Sequence, residues 1–134
     1  GIAAYYNNDY HYEIYIGNDD NGKYIGFYKH IHDMGAELAH IPISREDYNL
    51  HLLVRIDTDR EGYTFSYAIA DTVNPGARIA YEKIGSGLNA GLSTEGTRTM
   101  TFTGTLFSLF AENGHGVFEN GVSLAINPDE NYTL

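Results

Sequence analysis

The stretch YHYEIYIGNDDNGKYIGFYKHI, residues 10–31, decides the fold class. Tyr10, Tyr12, Ile14 and Ile16 alternate with His11, Glu13 and Tyr15, the period-two pattern of a half-buried strand with one apolar and one polar face. NDDNGK, residues 18–23, then supplies the Asn-Gly chemistry that lets a short hairpin reach φ > 0, and KYIGFYKHI returns as a second alternating strand. A β-hairpin accounts for the whole stretch.

The segments on either side repeat this grammar. Upstream, GIAAYYNN runs straight into an apolar strand pattern with no initiator Met and no polar lead-in, as expected of a chain cut from a longer one. Downstream, GAELAHIPI (35–43) has room for a helical turn at residues 36–40. Pro42 between the β-branched Ile41 and Ile43 favours an extended segment instead. LHLLVRID (50–57) places Leu50, Leu52, Val54 and Ile56 inward, DTDREG turns, and GYTFSYAI (62–69) places Tyr63, Phe65, Tyr67 and Ile69 inward. The loop DTVNPGA leads to a shorter strand near RIAYEKI (78–84), and GSGLNAGLSTEGTRT (85–99) is the longest irregular stretch. In FTGTLFSLFAENGHG (102–116), Phe102, Leu106 and Phe110 share one face with Gly104 and Ser108, while Phe107 and Leu109 make the other face apolar too. A buried strand covered on both sides is expected there. A last strand near GVFENGVSLAI precedes a polar tail.

Short strands, regular turn signals and no credible long helix predict an all-β fold, an antiparallel two-sheet β-sandwich. Its 134 residues suit one domain, residues 1–134. With 12 Tyr and 6 Phe, the composition favours pleated, half-buried strands. The formal net charge of −10, with no basic cluster to offset it, disfavours nucleic acid and anionic membrane as partners. No apolar run reaches the length of a membrane-spanning helix. The absence of Cys removes disulfides, thiol catalysis and Cys-ligated zinc but leaves the compartment open.

Several groups of chemically capable residues have simpler explanations. Asp57, Asp59 and Glu61 cluster in DTDREG, where turn chemistry explains them. His30 and His32 stand two apart, the spacing that puts both on one strand face, and with His40 or His51 they could hold zinc. Exposed His at a strand end is the commoner reading. NDDNG lacks the ligand spacing and closing Glu of an EF-hand and reads as a hairpin turn, although a structural calcium elsewhere is compatible with a sandwich. GSGLNAG has phosphate-loop glycines without the Lys or the helix. Asn131 opens a glycosylation sequon. Tyr5, Tyr6, Tyr10, Tyr12 and Tyr15 form the densest aromatic group. Burial explains Tyr10 and Tyr12, but Tyr15 lies on the polar face with His11 and Glu13 and is the candidate sugar contact.

The succession AAYYNNDYHYEIYI, the DNGK hairpin, LHLLVRID, GYTFSYAI, LNAGLSTE and FTGTLFSLFAENG resembles the C-terminal concanavalin A-like β-sandwich of family 43 glycoside hydrolases, the β-xylosidases and α-arabinofuranosidases. The resemblance runs from about Gly1 to Ala111 and covers the later part of that domain, so the opening strands of the jelly roll are expected to be missing. GVFENGVSLAI, with Phe118 and Glu119, is only a loose counterpart of the family's closing strand.

The resemblance implies a non-catalytic accessory domain, because the carboxylate pair of a glycosidase lies in a separate β-propeller in these enzymes. It implies that propeller as partner and xylo- or arabino-oligosaccharides as substrate, with no cofactor. It further implies that the loop before FTGTLF walls the substrate pocket. Met100 and Phe102, with Ser93, Thr94 and Glu95 nearby, are the positions expected to do so. Two other readings remain: an independent carbohydrate-binding module with Tyr15 on its platform, and a structural domain that self-associates through uncovered sheet edges.

Overall fold

The computed structural model describes residues 1–59, 61–71, 78–88 and 106–114. The hairpin at residues 10–31 appears as β2 (Tyr10–Asp19) and β3 (Gly22–Ile31), paired antiparallel with Tyr12 opposite Lys29, Ile14 opposite Phe27 and Ile16 opposite Ile25. Positive φ falls on Gly22 (112°), while the Asp19 carboxylate accepts the Asn21 N–H at 2.8 Å and closes the turn. Ahead of the hairpin, β1 (Ile2–Asn7) doubles back onto β2 through a tight turn in which Asn7 Oδ1 accepts the Asp9 N–H. The segment around Pro42 is extended, as its β-branched residues require, and forms β4 (Met34–Pro42).

The second predicted hairpin is β5 (His51–Thr58) with β6 (Gly62–Ala70). Asp59 closes it, its Oδ1 accepting the N–H groups of Glu61 (2.7 Å) and Gly62 (3.0 Å), which explains the acidic cluster as turn chemistry. β7 is Glu82–Leu88 and β8 is Leu106–Leu109. A short 3-10 turn at Arg45–Asp47 connects β4 to β5. The strands form a five-stranded sheet ordered β4-β3-β2-β1-β8 and a three-stranded sheet ordered β5-β6-β7, and every pairing is antiparallel.

The core lies between the sheets. Ala4, Tyr12, Ile14, Ile25 and Phe27 of the larger sheet meet Tyr63 and Phe65 of the smaller one. Phe27 and Phe65 pack with ring centroids 4.9 Å apart, and Tyr12 meets Tyr63 and Phe65 edge-on at 5.9 and 6.1 Å, geometries favoured by the aromatic quadrupole. Tyr12 Oη, the polar tip of a ring only 2 % exposed, donates to the Leu88 carbonyl at 2.9 Å and ties the two sheets together. Lys29 also points to this face, its ammonium 5.4 Å from the centre of the Tyr12 ring.

Three expectations require correction. β7 runs into the Gly-rich segment taken as irregular: a Cβ at Gly85 would collide with the Phe27 ring, and one at Gly87 with Tyr12. Those glycines let a strand come close to two core aromatics. Ile16, assigned inward with Ile14, is 50 % exposed, and Leu50 precedes β5 and is exposed. The strand at 102–110, expected to be covered on both sides, is described from Leu106. As β8 it pairs with β1 alone among the described residues, with Leu106, Phe107 and Leu109 at 65, 51 and 47 % exposure. Two apolar faces are present, as the pattern demands, but neither is buried.

Candidate functional site

The residues that alternate with the core on β2, β3 and β4 all project from the opposite face of the larger sheet. Register sets the neighbours: His11 lies opposite His30, Glu13 opposite Tyr28 and Tyr15 opposite Gly26, while on the far side of β3 Glu37 lies opposite Tyr28 and His40 opposite Gly26. Glu13, Tyr28 and Glu37 thus form a row across three strands, with rings on either side of it.

The first ring group contains Tyr15, Tyr24 and His40. The Tyr24 and His40 rings stack at 3.7 Å, and Tyr15 meets Tyr24 edge-on at 6.2 Å. Tyr15 Oη donates to Glu37 Oε2, His40 Nδ1 lies 2.6 Å from Glu37 Oε1, and His40 Nε2 lies 3.2 Å from Asp19 Oδ2. Burial, and then the hydrogen bond to Glu37, push the Tyr15 phenol above its ordinary range, so it stays a neutral donor. Tyr24 moves in the same direction through burial and the charges of Glu37 and Asp19.

The second group contains Tyr5, His11, Tyr28 and His30. His11 is the hub, with ring centroids 5.8 Å from Tyr5, 6.1 Å from Tyr28 and 5.2 Å from His30. Its Nε2 lies 3.0 Å from Glu13 Oε1, and its Nδ1 lies 3.3 Å from the Asn7 carbonyl. At 9 % exposure His11 is buried, although it lies on the polar face of β2. Burial raises the Glu13 carboxyl above the usual range; the positive field of His11 opposes this shift and Glu112 adds to it.

Small residues make room for the rings. Tyr24 occupies the space a side chain at Gly17 would need, Tyr15 the space at Gly26 and Tyr28 the space at Gly35. The side chains that β2, β3 and β4 alternate onto this face include carboxylates, while Lys29 of β3 turns to the core face. An open depression of about 910 Å³ extends over part of it, lined by Tyr15, Tyr24 and Tyr28, bordered by Lys23, Glu112, Asn113 and Gly114 and continuing to apolar side chains such as Ile16 and Leu52.

Of the residues singled out from sequence, Tyr15 falls within this site, as do Tyr5 and the zinc candidates His30 and His40. Ser93, Thr94, Glu95, Met100 and Phe102 lie outside the described residues, as do Phe118, Glu119 and Asn131. The zinc arrangement is not formed: His30 joins His11 and Tyr28, whereas His32, at φ 59° in the β3–β4 turn, stacks on Tyr10 instead. Among the described residues no group of three His, Cys, Asp or Glu side chains is placed to hold a metal. Tyr24, Tyr28 and Glu37 were not anticipated, and His40 only as a third zinc ligand. The signal for the first two was present, since hairpin register puts positions 24, 26, 28 and 30 on the Tyr15 face. Glu37 and His40 could not be found that way, because the irregularity near Leu38 shifts the phase of β4.

No curated protein and no solved structure matches the chain. One protein family does: residues 1–121 match the profile described as the β-xylosidase C-terminal concanavalin A-like domain, in agreement with the two antiparallel sheets. That match covers nearly the whole chain, and the chain therefore belongs to this family, the non-catalytic accessory sandwich of family 43 glycoside hydrolases.

Proposed function

We propose that the chain is the accessory sandwich of a glycosidase acting on xylan- or arabinan-derived oligosaccharides, that it packs on the catalytic propeller, and that it helps to shape the substrate pocket. The observation that carries the docking is β8: Leu106, Phe107 and Leu109 present apolar side chains on both faces of a sheet-edge strand, and Phe107 still touches the core through Tyr63 at 6.1 Å. An apolar edge in that state favours a covering neighbour. By order in the chain, the pocket-wall role falls to the segment preceding β8, with Thr94, Met100 and Phe102.

The test is association in trans. The catalytic domain of the parent enzyme, supplied as a separate chain, should bind this chain in sedimentation velocity and gain activity on aryl xylosides. Leu106→Asp should weaken the association roughly a hundredfold while leaving the circular dichroism spectrum unchanged, because truncating a central apolar anchor costs on the order of 2–4 kcal/mol. Undiminished association of that variant would place the interface elsewhere. Undiminished turnover with Phe102→Ala in the associated pair would remove the pocket-wall role.

A further inference from the structure

We propose that the outer face of the five-stranded sheet is a binding site for a neutral oligosaccharide, built on two aromatic groups flanking the Glu13 and Glu37 carboxylates. The accessory-domain reading bears on it only in the choice of probe sugar.

Along β3 the ring-bearing positions run from Tyr24 to His30, six residues, or roughly 20 Å at about 3.3 Å per residue. That length accommodates several linked sugar rings, and the depression over the face is open to solvent. A pyranose chain alternates apolar C–H surfaces with hydroxyl edges. The face alternates in a matching way: Tyr15, Tyr24 and His40, then Glu13 and Glu37, then Tyr5, His11, Tyr28 and His30.

Aromatic rings take the C–H surfaces, and carboxylate and imidazole groups take the hydroxyls, as in sites that are mostly apolar with a few placed polar groups. The polar groups are already held in place: Glu37 is fixed by Tyr15 and His40, His40 by Asp19, and Glu13 by His11. Such fixing lowers the ordering cost of binding. Charge selects among ligands. Glu13, Glu37 and Asp19 on this face, in a chain of net charge −10, disfavour phosphorylated or uronic-acid ligands and favour neutral sugars, while Lys29 of β3 turns to the core face and Lys23 borders the depression.

Isothermal titration of the whole chain with xylohexaose, cellohexaose and oligogalacturonate, paired with amide chemical-shift mapping, tests the site. Saturable binding of either neutral hexasaccharide is expected, with shifts confined to β1, β2, β3 and β4 and no binding of the polyanion. Tyr24→Ala, at a ring not needed by the core, should weaken binding roughly tenfold, the loss of one stacked contact. Tyr15→Phe, which keeps the ring and releases Glu37, should weaken it less. Leu109→Asp, at a β8 position opposite Ile2 on the core-facing side of the sheet, should leave it unchanged while weakening association with the catalytic domain, so failure of the docking interface and failure of this site are read separately. The inference is overturned by absence of binding to both neutral sugars, by binding that Tyr24→Ala leaves intact, by equal affinity for oligogalacturonate, or by shifts centred on β8.

Discussion

Tyr12→Phe tests the join between the two sheets, and its effect should reverse sign with pH. The Tyr12 ring is buried among Tyr63 and Phe65, and its hydroxyl donates to Leu88 across the sandwich. Phe keeps the packing and removes one hydrogen bond, a loss of about 0.5–1.5 kcal/mol near neutral pH. Burial, aided by the neighbouring Tyr63, pushes the Tyr12 phenol up to about 12 from an ordinary 10.0. A raised acid pKa means that the folded state holds the proton more tightly. The contribution is therefore fully present below pH 10 and is lost as pH climbs through 12. Two pH units at about 1.36 kcal/mol each put the full loss at about 2.7 kcal/mol, half of it spent by about pH 11. Phe cannot ionise and suffers none of this. Urea unfolding followed by circular dichroism, at intervals from about pH 7 to about pH 11.5, should find the variant weaker by about 1 kcal/mol at neutrality and the two stability curves crossing near pH 11. The other tyrosines titrate in both proteins and cancel in the difference. Curves that stay parallel across the range would refute the claim that a buried, neutral Tyr12 hydroxyl links the sheets.

Gly85→Ala would press a methyl group into the Phe27 ring and should cost about 1–3 kcal/mol in urea unfolding, whereas Gly114→Ala, with open space at its Cβ, should be neutral. Glu13 has a carboxyl raised by burial, so its contribution is present below the unfolded carboxylate range and lost as pH rises through the folded value. Glu13→Gln should flatten the fall in melting temperature as pH rises above the ordinary carboxylate range, and a fall as steep as the parent's would contradict that assignment. The Leu106→Asp association experiment and the Tyr24→Ala sugar titration complete the set, one reading domain docking and the other sugar binding.

Local pattern alone determined a good deal about this protein. Alternation at residues 10–31 and 50–69, with turn residues between, was sufficient for both hairpins, because period-two burial and Asx-type turn chemistry are local properties. The order of its strand motifs was sufficient for the family, which the profile match over residues 1–121 establishes. Half of the site was equally legible: Tyr15, Tyr24, Tyr28 and His30 share a face by parity once the first hairpin is drawn.

Tertiary structure decided the rest. Glu37 and His40 join that face only through the β3–β4 register and its irregularity. His30 and His32 part company because positive φ at residue 32 ends the alternation. The Gly-rich run at 85–88 becomes a strand because Phe27 and Tyr12 fill the space its side chains would need. Among the described residues apolar β8 lies open instead of buried because it pairs with β1 at the end of the sheet. Each of these depends on which strand arrives alongside, a contact between residues far apart in the chain that no local periodicity encodes.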